Sequence, residues 1–167
     1  LPGSGLDPIL YRGTGHDEDG TYSEKPDVYY KLMQRLGRKI DGARDYLPAP
    51  IIKEDEKQEL GVIFYGSMEN TIDEIEDIVE EKSGKKISTC RVRALPLHSE
   101  VEAFMEKHEK IIVVEINRDA QLYGIMRKEY PLHLLSKMLS VAYSDGMPPR
   151  GRLYAERILE VLEEAEI

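Results

Sequence analysis

The sequence predicts an α/β domain in three layers, with helices on both faces of a mainly parallel sheet of about four to five strands, preceded by an extended arm and a long helix. Apolar segments alternate with amphipathic helical segments at about 20 to 30 residues per unit, as expected for consecutive β–α units. The segment 111–114 consists of β-branched residues only, which is typical of a parallel strand buried on both faces. These two observations predict the fold class.

Composition excludes several classes of protein. The chain has 167 residues, of which 41% are hydrophobic and 33% charged, as in one globular domain with an appendage. The net charge of −9, with no basic cluster beyond 91–93, argues against a nucleic-acid partner. No apolar run approaches the roughly 20 residues needed to cross a bilayer, so no membrane partner is expected.

The only cysteine, Cys90, excludes an intramolecular disulfide and any multi-cysteine zinc or iron–sulfur site within the chain. It lies in the predicted strand 86–94, which favours a small buried core residue over a reactive thiol. The histidines have no second ligand at metal spacing, so they are interpreted as surface or packing residues. They are His16, His98, His108 and His133.

Residues 1–25 are predicted to form an extended arm or linker, because a segment rich in Gly, Asp and Ser cannot build a core alone. The chain starts without Met, so we expect a fragment of a longer polypeptide. Within the arm, 13–20 is glycine-rich, but its three carboxylates would repel a phosphate. A calcium loop fits poorly, because the turn glycine falls at Gly20 and the twelfth position is Val28.

Pro26 is predicted to begin an amphipathic helix of about five turns that ends before Pro48. Its apolar residues recur at three- and four-residue spacing. They are Tyr29, Leu32, Met33, Leu36, Ile40 and Ala43. The segment 26–59 is therefore interpreted as this helix and a charged connector, and 60–167 as the compact α/β domain.

The first β–α unit of that domain has a strand at 61–66 and a helix that ends at Gly84. Thr71 and Glu74 have the spacing of a capping box at the start of the helix. The acidic outer face of the helix is interpreted as a solvated surface, with a docking face as the alternative.

The second unit has a strand at 86–94 and a helix at 99–108, where Ser99 and Glu102 form a second predicted capping box. Alternation of strand and helix continues to the end of the chain. The remaining elements are predicted as a strand at 111–116, a helix at 122–130, a strand at 137–143, a loop at 144–149 and a closing helix at 153–162.

A polar cluster follows the strand 111–116, at the edge of the sheet where ligands of open α/β sheets bind. Ser67 and Pro96 follow other strands at the same edge. The simpler alternative is that Asn117 or Asp119 is the N-cap of the next helix. The sequence contains no nucleophile elbow, P-loop, dinucleotide fingerprint or His-Glu-x-x-His motif, so we assign no catalytic, cofactor-binding or metal-binding residue.

An ordered set of motifs resembles the C-terminal part of the α subunit of thiamine-diphosphate-dependent 2-oxoacid:ferredoxin oxidoreductases. The last domain of that subunit is similar to the transketolase C-terminal domain. The resemblance covers nearly the whole chain. The motifs are 14–20 (Thr-Gly-His-Asp-Glu-Asp-Gly), the long helix after it, 65–67 (Tyr-Gly-Ser), 95–97 (Leu-Pro-Leu), 113–122 (Val-Val-Glu-Ile-Asn-Arg-Asp-Ala-Gln-Leu) and 143–148 (Tyr-Ser-Asp-Gly-Met-Pro).

The resemblance implies a cytoplasmic enzyme that oxidatively decarboxylates a 2-oxoacid, with coenzyme A as acyl acceptor and ferredoxin as electron acceptor. It implies that thiamine diphosphate, magnesium and the iron–sulfur cluster are held by the remaining α-subunit domains and the β subunit. This fragment alone is then expected to be inactive and to have a structural and subunit-interface role. The sequence at 117–122 favours the 2-oxoglutarate-like branch of this family.

Two departures from the family weaken any transfer of residue roles. Ala120 stands where family members usually have Gly, and the loop at 14–16 is shorter than usual. We therefore interpret the polar residues only as candidates for loop ordering or subunit contact. They are His16, Asp17, Glu18, Glu115, Asn117, Arg118, Asp119, Gln121 and Asp145. The alternative function is a free-standing α/β interaction module or small-ligand-binding module.

Overall fold

The computed structural model describes residues 3–5, 13–57 and 59–165, without the side chain of Asp45. The chain divides into two compact units, Leu1–Tyr46 and Leu47–Ile167. The predicted arm 1–25 lies partly outside the described residues. None of the described helices is both long and apolar enough to cross a membrane.

The first unit contains the helix α1 (Pro26–Ala43), which confirms the predicted helix, followed by a 3-10 turn at Arg44–Tyr46. A proline stands at the start of α1, where a backbone N–H would have no partner in the helix. The apolar face of α1 is only partly covered. Leu32 is buried, whereas Tyr29 is 56% and Ile40 55% exposed.

The second unit contains a five-stranded sheet with the strand order β1-β3-β2-β4-β5. The edge strand β1 runs antiparallel to β3, and the other three pairings are parallel. The predicted fold class, an α/β domain with a mainly parallel sheet, is confirmed. The strands are β1 (Ile51–Lys53), β2 (Leu60–Tyr65), β3 (Ile87–Val92), β4 (Lys110–Glu115) and β5 (Met138–Ala142). The helices are α2 (Ile72–Ser83), α3 (Ser99–Lys107), α4 (Gln121–Glu129), α5 (Leu132–Leu135) and α6 (Gly151–Ala165).

Two hydrophobic cores lie on opposite faces of the sheet. Val62 and Ile112 belong to the core that α2 and α6 cover, whereas Ile63 and Val113 belong to the core that α3, α4 and α5 cover. All four side chains are fully buried. Because successive residues of a strand point to opposite faces, β2 and β4 contribute to both cores at once.

Several local predictions are wrong. Thr71 precedes α2 but makes no capping bond, because its hydroxyl donates to the carbonyl of Met68 at 3.1 Å. At the start of α3 the N-cap is His98 rather than Ser99, and His98 Nδ1 accepts from the N–H of Glu100 at 3.2 Å. Because the hydroxyl of Thr71 bonds the loop before α2, it cannot also accept a hydrogen bond from the first turn of α2.

The edges of the sheet also differ from the sequence prediction. The predicted connector 48–59 contains β1, whose three residues are too few to show a periodic pattern. β1 and β5, the two outer strands, are partly exposed, in contrast to the buried strands between them. The short helix α5 was not predicted either.

The two core predictions that rest on single residues are confirmed. Cys90 is fully buried, and burial raises the pKa of its thiol to about 12, so the unreactive thiol form persists at neutral pH. His108 is a buried packing residue. Its ring lies 4.2 Å from that of Phe104, and Nδ1 donates to the carbonyl oxygen of Phe104 at 2.7 Å.

Gly61 lies in the middle of β2, where a larger residue would not fit. A Cβ atom built there would lie 2.8 Å from Cδ1 of Ile111 and 2.8 Å from Cε1 of Phe104. The absent side chain therefore lets α3 approach the sheet closely.

We expect Gly61→Ala to lower the free energy of unfolding by about 1–3 kcal/mol, because the side chains of Phe104 and Ile111 must move out of their packed positions. Chemical denaturation with circular dichroism measures the change. Gly124→Ala in α4 is the control, since no heavy atom lies within 4 Å of its Cβ position. The control is expected to gain up to about 1 kcal/mol from helix propensity. Equal stability of wild type and Gly61→Ala would contradict the packing argument.

Candidate functional site

The carboxyl end of β4 carries a buried carboxylate that binds the start of α4. Glu115 is 1% exposed. Its Oε2 accepts from the N–H of Leu122 at 2.7 Å, and its Oε1 accepts from the N–H of Tyr123 at 2.9 Å. The first N–H groups of a helix have no partner within it and carry a partial positive charge, so a carboxylate there is both bonded and electrostatically favoured.

Asn117 completes this arrangement. Its Oδ1 accepts from the backbone N–H groups of Asp119 at 3.0 Å and Gln121 at 3.3 Å. Its Nδ2 donates to Glu115 Oε2 at 2.7 Å and to the hydroxyl of Tyr65 at 3.0 Å. One amide side chain thus joins the loop after β4 to the end of β2.

Ala120 is the N-cap of α4 and has φ 49° and ψ 52°, the left-handed conformation. This conformation brings Cβ close to the following carbonyl and is usual only for Gly. Position 120, where an alanine replaces the glycine expected from the family resemblance, therefore has a backbone conformation that suits Gly. The left-handed turn at Ala120 directs the chain so that the side chains of Glu115 and Asn117 reach the start of α4.

Among the bonds of the described residues, none joins the side chains of Arg118, Asp119 or Gln121 to Glu115. Arg118 and Asp119 form an ion pair with each other at 2.7 Å, and both side chains are exposed. An exposed pair of this kind contributes little to stability. The side chain of Gln121 instead lies at a pocket.

That pocket of about 520 Å³ lies at the carboxyl ends of β2 and β3, beside the start of α4. It brings together residues that are far apart in the sequence. Its lining consists of Tyr65, Gly66, Val92, Arg93, Ala94, Leu95, Gln121, Leu122 and Ile125. Of the positions predicted at this edge, Gln121 lines the pocket, whereas Ser67 and Pro96 do not.

A second ordered loop, between β5 and α6, is built around Asp145. Its Oδ1 accepts from the N–H of Met147 at 3.1 Å, and its Oδ2 accepts from the hydroxyl of Tyr143 at 3.3 Å and pairs with Arg150. The N–H of Met147 and the charge of Arg150 hold the pKa of Asp145 below its ordinary value.

The candidates His16, Asp17 and Glu18 lie in the first unit. Asp17 Oδ1 accepts from the N–H groups of Asp19 at 3.1 Å and Thr21 at 2.9 Å, which closes a tight turn. Nδ1 of His16 donates to the carbonyl of Thr14 at 2.9 Å. The turn is therefore held by its own side chains. A role for these residues in subunit contact stays a prediction.

Comparisons with known proteins add the following. No protein-family model matches the sequence, and no curated protein matches it. Among solved structures, the chain is similar to a 2-oxoglutarate:ferredoxin oxidoreductase from Magnetococcus marinus with 2-oxoglutarate, coenzyme A and succinyl-CoA bound, with a TM-score of 0.76 and 21% sequence identity. The likeness covers 96% of this chain and 28% of that chain. It shows a shared fold.

Several residues of the pocket were not predicted as site residues from the sequence. Tyr65 is the last residue of β2 and is 37% exposed. Leu95 follows the predicted strand 86–94 and is 53% exposed. Arg93 was noted only as part of a short basic cluster. Its position one residue after the end of β3 is the signal that could have placed it at the carboxyl edge.

We expect Glu115→Ala to lower the free energy of unfolding by about 2–4 kcal/mol, because two N–H groups at the start of α4 lose a charged acceptor inside the protein. Thermal and urea denaturation measure the loss, and hydrogen exchange should show faster exchange at Leu122 and Tyr123. Glu109→Ala, which removes an exposed carboxylate just before β4, is the control. Protection at Leu122 and Tyr123 equal to wild type would contradict the capping role.

We expect Asp145 to titrate below pH 3.8, its ordinary value, in a carboxyl-detected NMR titration, because Met147 and Arg150 stabilise the ionised form. A depressed pKa in the folded state means that the contribution of this carboxylate to stability is present above that ordinary value. The contribution is lost as the pH falls through the folded pKa. Arg150→Gln should move the midpoint upward. An unchanged midpoint in that variant would show that Arg150 does not act on Asp145.

Proposed function

We propose that this chain is the transketolase C-terminal-like domain of the α subunit of a thiamine-diphosphate-dependent 2-oxoacid:ferredoxin oxidoreductase, with a structural and subunit-interface role. One observation carries the proposal. The likeness to the solved oxidoreductase extends over 96% of this chain, and is therefore not confined to the α/β unit. The same span contains the ordered motifs from 14–20 to 143–148.

The activity belongs to the whole enzyme in this proposal. It is the oxidative decarboxylation of a 2-oxoacid to an acyl-CoA with reduction of ferredoxin, in the cytoplasm. The chain spans 28% of the solved chain it resembles, so the remaining α-subunit domains and a β subunit are the proposed partners. The 2-oxoglutarate and succinyl-CoA bound to that solved protein agree with the 2-oxoglutarate-like sequence at 117–122.

The chemistry of the described residues supports a non-catalytic role. The carboxylate of Glu115 is occupied by three N–H donors, and the thiol of Cys90 is buried with a raised pKa. Within 3–5, 13–57 and 59–165, no group of three or more His, Cys, Asp and Glu could hold a metal ion. That the magnesium, the thiamine diphosphate and the iron–sulfur cluster of the proposed enzyme are held by its other domains and subunits is what the family resemblance implies, and it stays part of the proposal.

The exposed face of α1 supports the interface role. Tyr29, Tyr30 and Ile40 are each more than half exposed, although they lie on a helix with an apolar face. Large apolar side chains grouped in this way commonly mark a contact with another polypeptide. The proposed contact is with the remaining parts of the enzyme.

The test is a purification from the native cells through a tag on this chain, under anaerobic conditions. The purified fraction should contain thiamine diphosphate and should reduce methyl viologen only when both 2-oxoglutarate and coenzyme A are present. The 167-residue chain produced alone should be inactive. A fraction that holds no thiamine-dependent partner and reduces no viologen with any 2-oxoacid would overturn the proposal.

The interface role has its own variants. Tyr30→Ser with Ile40→Ser should reduce the activity that purifies with the tagged chain, because apolar contact area is lost, while the melting temperature of the isolated chain stays within a few degrees of wild type. Gln34→Ser, an exposed polar position of the same helix, is the control. Undiminished activity in the double variant would show that α1 does not make the contact.

A further inference from the structure

The pocket at the carboxyl edge continues into a neighbouring cavity and forms a longer cleft. The second cavity has about 410 Å³ and shares Gly66, Val92 and Arg93 with the first. Together they run from Ile51 on β1 to Gln121 at the start of α4. The volumes of both cavities lie in the range of cavities that hold small ligands.

Three side chains that can donate hydrogen bonds line the first cavity without using that capacity. Among the described residues, Arg93 has no ion-pair or hydrogen-bond partner, and the amide of Gln121 has none either. The hydroxyl of Tyr65 accepts from Asn117 at 3.0 Å, and its own proton finds no acceptor within the described part of the chain. All three side chains are exposed, so water can bond them in the free chain, and a ligand that supplies acceptors can take the place of that water.

The rest of the lining is apolar. Val92 and Leu122 are buried beneath the cavity, and Leu95 is 53% exposed at its side. A small, highly charged anion such as phosphate would gain nothing from these side chains. A ligand with an apolar body and one acidic end would use both parts of the lining.

The start of α4 does not supply the anion-binding groups. The N–H groups of Gln121, Leu122 and Tyr123 are already bonded to Asn117 and Glu115. The charge of Glu115 also offsets the positive end of the helix. Recognition of an anion therefore falls to the side chains. Arg93 is the cation that lines the first cavity, whereas Arg91, which lines the second, is paired with Glu69 at 3.4 Å.

We propose that this cleft binds a small monocarboxylate with an apolar chain or ring, its carboxylate at Arg93, Tyr65 and Gln121 and its apolar body against Val92, Leu95 and Leu122. The site is separate from the chemistry of the proposed oxidoreductase and does not depend on it. The ligand class follows from the guanidinium of Arg93, two neutral donors and the apolar side chains beside them, since the guanidinium of Arg91 is already paired with Glu69.

The test is a titration of the ¹⁵N-labelled chain with hexanoate and phenylacetate, followed by NMR. Amide signals of 65–66, 92–95 and 121–125 should shift with saturation. Hexanamide and phenylacetamide, which have the same shape without the charge, should bind at least about tenfold more weakly, because a hydrogen bond to a charged group contributes about 1.5–3 kcal/mol. Arg93→Gln should weaken binding of the acids by a similar factor.

Arg118→Gln is the matched control, because it removes the same charge from an exposed side chain that does not line the cleft. Equal weakening by both arginine variants, equal binding of acids and amides, or shifts outside the cleft would overturn the proposal. A leucine-terminated tripeptide with a free carboxylate distinguishes a second source of the same chemistry. Binding of this peptide well above that of every small acid would overturn the small-molecule assignment in favour of a polypeptide carboxyl terminus.

Discussion

The burial of β2 and β4 on both faces is the constraint on which the second unit depends. Each of these strands places successive side chains in two separate hydrophobic cores, so the sheet is stable only when helices cover both faces. Parallel pairing follows, because each covering helix carries the chain back to the starting edge of the sheet. The loops after the strands then gather at one edge. The position of the candidate site is therefore determined by the burial of the strands in the two cores.

The same burial explains why the end of β4 is polar. A helix that starts directly behind a buried strand has its first N–H groups turned toward the protein interior, where water cannot bond them. Glu115 is the last residue of β4 and places its carboxylate at those groups. The left-handed Ala120 and the amide of Asn117 complete a loop in which nearly every polar group has an internal partner. The side chain of Gln121, at the end of this loop, lines the cleft instead.

The parts of the molecule with a repeating apolar pattern could be predicted from the sequence. The apolar segments of β2 and β4 and the apolar spacing of α1 and α6 appear in the structure close to their predicted ends. The predictions are wrong where a single hydrogen bond decides between alternatives. Thr71 bonds backward to Met68 instead of forward into α2, and His98 rather than Ser99 caps α3. The cleft could not be predicted, because it depends on which strand ends lie side by side, and β3 and β2 are neighbours in the order β1-β3-β2-β4-β5.

The length of β1 has a consequence for the behaviour of the chain in concentrated solution. An outer strand exposes a row of unpaired N–H and C=O groups onto which the strand of another molecule can add, the first step of sheet growth between molecules. β1 offers only Ile51–Lys53, and its last residue is a lysine whose ammonium binds the carboxylate of Glu76 at 2.5 Å. The strand of another molecule could align on only three residues, beside an ion pair at the end of the strand. The shortness of β1 therefore disfavours the addition of a further strand at this edge of the sheet.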